Sequence, residues 1–398
     1  MNTMLTEKER NNVLLTMAEL INQEQSDILA INKMEVDAYK GGDLAMYDRL
    51  KVNTGKIDGM VLSLQQLVAD VDPLSKELYS FTHENGMKIT NKTAPFGTVL
   101  IIYESRPDVT VEAAGIAFKS GNKILLKGGK ESTKSNLKIV ELWHKALKQH
   151  DISTDWVSYL NYNRSETQAF LEKPTQKVDL IVPRGGEKLI EFVKQNATCP
   201  VIVSGRGNNF VYVDSEADLD VALNIILNAK TTKISACNAV DKVLIHDELI
   251  SKTSFVKTLI EKLKSFDIEV FGDKVISQFK DVNQIENEEI WFEEFLDYKI
   301  AIGSIKYLNE TIAKINNFGG GHSASIITKN NETAQIFMES VDAATVYQNA
   351  STRFTDGGQF GLGGELAIST DKLHHRGPMG LQHLVTNKWY VFGDGQIR

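Results

Sequence analysis

The first seventy residues carry apolar positions at helical spacing. Val13, Leu14, Met17, Leu20 and Ile21 recur three and four apart with Glu and Asn on the opposite face, which predicts helices over 5–70 covering one side of a domain. The period then changes. Leu78–Phe81 and Met87–Asn91 flank His83-Glu-Asn-Gly86, and the Asn85-Gly86 pair predicts the turn of a β-hairpin. From Gly97 onward short, nearly continuous apolar runs alternate with helical ones. Strands are expected at Gly97–Tyr103, Ile124–Leu126, Val178–Val182, Val201–Val203, Val211–Val213, Val243–Ile245 and 297–302, and again after Phe318–His322. Helices are expected at Val109–Phe118, after Ser132, at Glu187–Lys194, through Val221, Ala222, Ile225, Ile226 and Ala229, and over 253–265. Runs that are apolar on both faces belong to buried parallel strands, so the pattern predicts a doubly wound α/β fold. The tail, Lys388–Phe392, reads as a strand with nothing beyond it to pair with locally, one that adds to a sheet elsewhere, a partner's sheet included.

Three stretches carry candidate chemistry. Cys237 lies between the apolar helical run ending at Ala229 and the strand Val243–Ile245, flanked by Ala236 and Asn238. At such a junction backbone N–H groups lower a thiol pKa and hold a developing oxyanion, whereas most unpaired cysteines are small buried hydrophobes. Both readings stay open on this stretch alone. Lys127-Gly128-Gly129-Lys130 follows a strand, and glycines with a lysine at a strand's carboxyl end suit a phosphate-bearing ligand; solvated lysines are the alternative. No Gly-x-Gly-x-x-Gly fingerprint is completed. Asp356–Glu365 holds five glycines and no lysine, the composition of a loop built for close backbone approach. Cys199 beside Pro200 reads as structural. His374-His375 lacks a suitably spaced third ligand, so no metal site is expected.

Composition narrows the class. A chain of 398 residues is long enough for two or three domains, and its formal charge of −8 disfavours nucleic-acid binding. Two cysteines make neither a disulfide framework nor a zinc cluster, which fits a reducing cytoplasm. The first ten residues show no signal-peptide core, and no apolar run reaches membrane-span length.

Tyr103-Glu-Ser-Arg-Pro107, Ala236-Cys-Asn-Ala239 and Asn349-Ala-Ser-Thr-Arg-Phe-Thr-Asp-Gly357 together resemble the γ-glutamyl phosphate reductases, a branch of the aldehyde dehydrogenase superfamily. Phe318-Gly-Gly-Gly-His322, Phe360-Gly-Leu-Gly and the tail from Ile368 to Arg398 add to the likeness, which runs the length of the chain. The resemblance implies an aldehyde-dehydrogenase-like α/β fold. It implies an NADPH-binding domain at 1–77 and 97–220, a catalytic domain at 221–385, and an oligomerisation hairpin and tail at 78–96 and 386–398. It implies NADPH-dependent reduction of glutamyl 5-phosphate to glutamate 5-semialdehyde, the second step of proline biosynthesis, while the hairpin and tail strand by themselves suggest a homo-oligomer, a dimer or larger. Channelling from glutamate kinase is a further implied partnership. Cys237 would be the nucleophile, with Ser105 and Asn238 beside it in the catalytic role. Lys127, Gly128, Gly185, Gly186 and Glu294 would bind NADP(H), with Glu294 on the nicotinamide ribose. Arg106, Asn349, Ser351, Thr352, Arg353 and His322 would bind substrate; for Arg106 a structural ion pair is the competing reading, and for His322 a cap on the following strand.

The chain also departs from that family. Thr232-Lys-Ile-Ser-Ala236 stands where Gln-Arg-Pro-Gly-Val is usual, Asp241 replaces a glutamate, and Gly207-Asn-Asn-Phe replaces Gly-Ile-Cys-His. Ser204–Phe210 also lacks the water-activating glutamate of the superfamily's hydrolytic members, as a reductase protecting a thioester requires. The alternatives are an acylating dehydrogenase using coenzyme A, a Cys237/His246 hydrolase, and a catalytically silent relative.

Overall fold

The computed structural model describes residues 4–42, 44–252 and 254–398. The chain forms two compact units. The first holds the chain up to Val203 together with Gly361–Ala367 and Met379–Arg398; the second holds Ser204–Phe360 and Ile368–Pro378.

The first unit begins with four helices, α1 (Glu7–Gln23), α2 (Gln25–Ala38), α3 (Leu44–Leu50) and α4 (Thr54–Ala69). Thr6 and Glu9 make a capping box that starts α1, as the Thr-x-x-Glu spacing requires. A hairpin follows, β1 (Glu77–Thr82) and β2 (Lys88–Pro95), turning at Gly86 with φ 90°, a conformation glycine adopts without cost. Then come β3 (Thr98–Tyr103), α5 (Val109–Lys119), β4 (Lys123–Lys127), α6 (Thr133–Gln149), β5 (Val157–Tyr159), α7 (Arg164–Glu172), β6 (Leu180–Arg184) and α8 (Glu187–Asn196). The parallel sheet runs β5-β4-β3-β6, so the chain reverses direction across the sheet between β3 and β6. Val99, Ile101 and Tyr103 face one core, under α1, α4, α5 and α6; Leu100 and Ile102 face the other, under α7 and α8. That alternation is why β3 reads as an unbroken apolar run.

The second unit comprises β7 (Asn209–Val213), α9 (Leu219–Thr231), β8 (Val240–His246), α10 (Asp247–Lys252), α11 (Phe255–Lys264), β9 (Glu269–Gly272), β10 (Asn283–Gln284), β11 (Lys299–Ile305), α12 (Leu308–Phe318), β12 (Ser323–Ile327), α13 (Asn331–Ser340) and β13 (Thr345–Gln348). The sheet order is β10-β9-β11-β8-β7-β12-β13, parallel throughout. Thr253, the first residue of the helix expected over 253–265, lies outside the described residues.

One expectation is corrected. Val201–Val203 is not a strand. Val201 makes a single bridge to Ile181, after which the chain leaves for the glycine-bearing segment that enters the second unit. The tail does add to a sheet elsewhere, as expected, and that sheet is its own chain's hairpin. Val385–Phe392 pairs antiparallel with β2 of its own chain, from Val385 opposite Pro95 to Phe392 opposite Lys88. Separation in sequence hid this partner, about 290 residues upstream.

Candidate active site

The expected residues fall into two groups, one in each unit. In the first unit they surround a cavity of about 840 Å³ at the carboxyl ends of β3 and β4, walled by α7 and α8. Lys127, Gly128, Gly129, Lys130, Glu131 and Ser105 line it. This is where an open α/β sheet receives a nucleotide. Gly128 is obligatory there: a Cβ would stand 2.2 Å from Asn136 Nδ2 and 3.0 Å from the Tyr159 hydroxyl. The Lys127 ammonium donates to Gly128 O at 2.6 Å, and burial lowers its pKa against the opposing pull of Glu131. Ser105, almost wholly buried, donates its hydroxyl to Glu131 Oε2 at 3.2 Å. The glycine-edged, lysine-lined hollow fits the phosphate and ribose groups of a dinucleotide.

At the neighbouring end of β6, a Cβ on Gly185 would lie 2.7 Å from both Glu104 Cδ and Leu189 Cδ2, so both side chains would have to shift to admit one. Gly186 caps α8, and its N–H is already donated to Glu104 Oε2 at 3.2 Å. The group at this helix terminus is therefore the chain's own Glu104 carboxylate, which also pairs with Arg49 at 3.4 Å. Arg106 makes the ion pair weighed as its alternative reading, 3.0 Å to Asp108.

In the second unit Cys237 occupies a turn between α9 and β8, half-buried. Residues Cys237, Asn238 and Ala239 are tied to two other segments, one around Asn209 and one at 352–355. Asn209, wholly buried, donates through Nδ2 to Cys237 O and Ala239 O, both at 2.7 Å, while its Oδ1 accepts from Ser323 N at 3.0 Å. Thr352 Oγ1 donates to Asn238 O at 2.7 Å. Asn238 Nδ2 donates to Thr355 O at 2.9 Å and Arg353 O at 3.2 Å. Asn238 and Thr352 therefore hold the Cys237 turn against the 351–355 loop. Ser351 is buried and accepts from Arg353 N at 3.3 Å, starting the short helical turn that aims Arg353. Within the guanidinium, Nε and Nη1 are buried with no acceptor among the described residues. Buried charged donors without partners are costly, so this arginine is the unit's clearest invitation to an anion.

Two residues expected to bind substrate have other duties. Asn349 sits at the far end of β12 from the Cys237 turn. Its Oδ1 accepts from Thr328 N and its Nδ2 donates to Thr328 O, both at 2.9 Å, so the amide is consumed in holding the chain at φ 52°. His322 is buried, with Nδ1 2.8 Å from Ser323 Oγ, and that hydroxyl lies 2.7 Å from Thr355 Oγ1. It offers no surface to a ligand, and burial lowers its pKa to about 4.

That burial has a measurable consequence. The unfolded imidazole binds a proton below about 6.5 and the folded one only below about 4, so the stability its burial allows is complete above 6.5 and lost as pH falls towards 4. Urea titrations should show the wild-type chain losing on the order of 3 kcal/mol more than His322→Gln between pH 7 and pH 4. Equal losses in the two chains would show that His322 is not the titrating group.

The structure also bears on the hydrolase alternative. Cys237 precedes β8 and His246 ends it, so seven strand residues separate them by roughly 20 Å. A shared proton is out of reach. Cys199 packs beside the second core of the first unit, and burial raises its pKa, as suits a structural thiol.

Residues that the sequence reading passed over prove central. Lys230 and Lys242 are both wholly buried. Lys230 pairs with Asp241 at 2.8 Å, and Lys242 donates to Glu293 O at 2.7 Å. Asn208 donates to Trp291 O at 2.6 Å and Phe318 O at 2.8 Å. A charged pair inside an apolar strand, and two asparagines leading into another, were the available signals, because such groups are buried only with partners.

The comparisons with known proteins extend these observations. Residues 3–278 match the aldehyde dehydrogenase family. The gamma-glutamyl phosphate reductase of Clostridium perfringens is 42% identical over 393 residues, covering 98% of this chain and 94% of that protein. A crystal structure of gamma-glutamyl phosphate reductase from Thermotoga maritima superposes with a TM-score of 0.94 at 39% identity, covering 99% of this chain and 95% of the other. An acetylating aldehyde dehydrogenase from Geobacillus thermoglucosidasius shares the fold, with a TM-score of 0.70 at 17% identity over 99% of this chain and 93% of that one. Among the described residues no helix is long and apolar enough to cross a membrane.

Proposed function

Because the chain belongs to the aldehyde dehydrogenase family and, within it, to the gamma-glutamyl phosphate reductases, we propose that it reduces L-glutamyl 5-phosphate to L-glutamate 5-semialdehyde and phosphate. The observation that carries the reading is the pairing of Cys237 with Arg353 through Asn238. A candidate nucleophile is tied to a loop whose guanidinium has buried, unmatched donors. The Cys237 thiolate attacks the acyl carbon, the carbon–oxygen bond to phosphate breaks, and a thioester remains on the sulfur. A bound nicotinamide cofactor supplies the hydride that reduces this thioester. Collapse of the resulting tetrahedral adduct expels the thiolate and releases the aldehyde. Arg353, with the Ser351 and Thr352 loop that aims it, neutralises the substrate's anionic end. Ser204–Phe210 offers no carboxylate to activate water, so the thioester survives until hydride arrives.

The cofactor is taken to be NADP(H), with Lys127, Gly128, Gly185, Gly186 and Glu294 as its binding residues. Lys127, Lys130 and Lys188 line the cavity alongside Glu104, Glu131 and Glu191, so lysines are at hand for the extra phosphate of NADP. The working form is taken to be a homo-oligomer. Leu78, Tyr79 and Phe81 of β1 and Trp389, Val391 and Phe392 of the tail strand leave an apolar sheet exposed, of the kind that pairs with a second copy.

The reverse reaction tests the reading. With glutamate semialdehyde and NADP, absorbance at the reduced-cofactor band should rise only when phosphate is present. Coenzyme A replacing phosphate, or a rise needing neither, sinks the assignment. NADH turnover equal to that with NADPH removes the cofactor preference.

A further inference from the structure

Glu294 lies on an irregular segment between Trp291 and β11, where no helix or strand fixes the backbone. The segment is nevertheless held at almost every residue. Trp291 O accepts from Asn208 Nδ2 at 2.6 Å, and Phe292 O accepts from Arg206 Nη1 at 3.0 Å. Glu293 O accepts from Lys242 Nζ at 2.7 Å, and Phe295 N donates to Asp241 Oδ2 at 2.7 Å. Four main-chain groups of 291–295 are thus taken up by four side chains, from the approach to β7 and from the start of β8. Leu296 follows at φ 47°, a conformation a branched residue holds only when its neighbours fix it.

The two tethers next to Glu294 are the most deeply built. Asp241 accepts from Phe295 N with one oxygen and from the Lys230 ammonium with the other, at 2.8 Å, and both side chains are buried. Lys242, wholly buried, places its ammonium 3.6 Å from the centre of the Phe295 ring while donating to Glu293 O. The same strand end carries Cys237, whose carbonyl accepts from Asn209. Strand β8 therefore sets the height of the nucleophile's turn and of the Glu294 segment together.

We infer that Asp241 and Lys242 are positioning residues: through Phe295 N and Glu293 O they hold Glu294 at the place where it receives the nicotinamide ribose. The inference rests on the reading of Glu294 as the cofactor's ribose ligand. Neither side chain touches cofactor or substrate in this assignment, so its signature is a selective loss of cofactor affinity. General loosening of the fold would move every constant together.

Three variants decide it: Asp241→Asn, Lys242→Met and Glu294→Gln. Each is assayed for the KM of NADP, the KM of phosphate and the rate of Cys237 alkylation by iodoacetamide. Lys242→Met keeps the volume and needs no charged partner, so it serves if Asp241→Asn, which strands Lys230, fails to fold. Expected for Asp241→Asn and Lys242→Met is a rise of about tenfold or more in the NADP KM, with phosphate KM and alkylation rate within about twofold of wild type. Asp241→Glu, which keeps the charge, should return the NADP KM to within about threefold. If Glu294→Gln raises the NADP KM and the Asp241 and Lys242 variants do not, or if they shift all three quantities alike, the positioning role is overturned while the ribose reading stands. If Glu294→Gln leaves the NADP KM unchanged, the ribose reading falls and the inference falls with it.

Discussion

Cys237→Ser is expected to lower phosphate-dependent NADP reduction by about 10³-fold or more while leaving the fold and cofactor binding intact. A serine hydroxyl at this turn keeps its proton, because Ser204–Phe210 carries no carboxylate to remove it and His322 is buried with its imidazole turned to Ser323. A thiol depends less on such a base, because sulfur is intrinsically more acidic and more nucleophilic than a hydroxyl oxygen. Cys199→Ser, at the margin of a core in the first unit, should keep near-normal turnover and so separates a specific effect from loss of a thiol in general. Labelled iodoacetamide should mark wild type and Cys199→Ser at residue 237 and leave Cys237→Ser unmarked there. Retention of more than about a tenth of the activity by Cys237→Ser would falsify the covalent route.

The second large effect comes from a glycine. A Cβ on residue 207 would stand 2.0 Å from the carbonyl oxygen of Cys237 and 2.6 Å from its Cα. Both neighbours are backbone, so no side chain can swing aside, and Gly207→Ala must move the Cys237 turn by about an ångström. Displacements of that size at a reacting centre cost about 10²-fold in rate, and overpacking costs about 1–3 kcal/mol in stability. Turnover should therefore drop about a hundredfold, with a modest fall in the unfolding midpoint. Gly59→Ala makes the control: it lies within α4 with nothing inside 4 Å of the new methyl, and should leave turnover unchanged while stabilising the helix by about 1 kcal/mol. Equal turnover in Gly207→Ala and wild type would mean that the close approach of the two segments has no bearing on the chemistry.

Much of the fold was legible because its elements are local. The run Val99–Tyr103 is apolar at every position, and only a strand covered on both faces needs that, so β3 followed from the pattern. Thr6 with Glu9, and Asn85 with Gly86, announce a helix start and a turn within four residues. Val201–Val203 misled for the converse reason. Three β-branched residues have strand propensity, but a strand also needs a neighbour along its length, and the chain departs after one bridge. The tail strand was recognised as a strand and left without a partner, because pairing across 290 residues leaves no local trace.

The candidate site divides along the same line. Residue types and order alone fixed which side chains have the chemistry: a thiol among small neighbours at Cys237, an arginine at Arg353, a glycine-lysine turn at Lys127–Lys130, and no carboxylate before Phe210. Folding decided which of these are available. Asn349 spends its amide on Thr328, His322 is shut inside the second unit, and Asn238 and Thr352 bind each other's segments. Folding also recruited Asn208, Asn209, Asp241 and Lys242, which in the sequence were departures from a familiar pattern or charges out of place. The physical reason is that a side chain's identity is a property of one position, whereas its spare hydrogen-bonding capacity depends on which distant backbone groups arrive beside it.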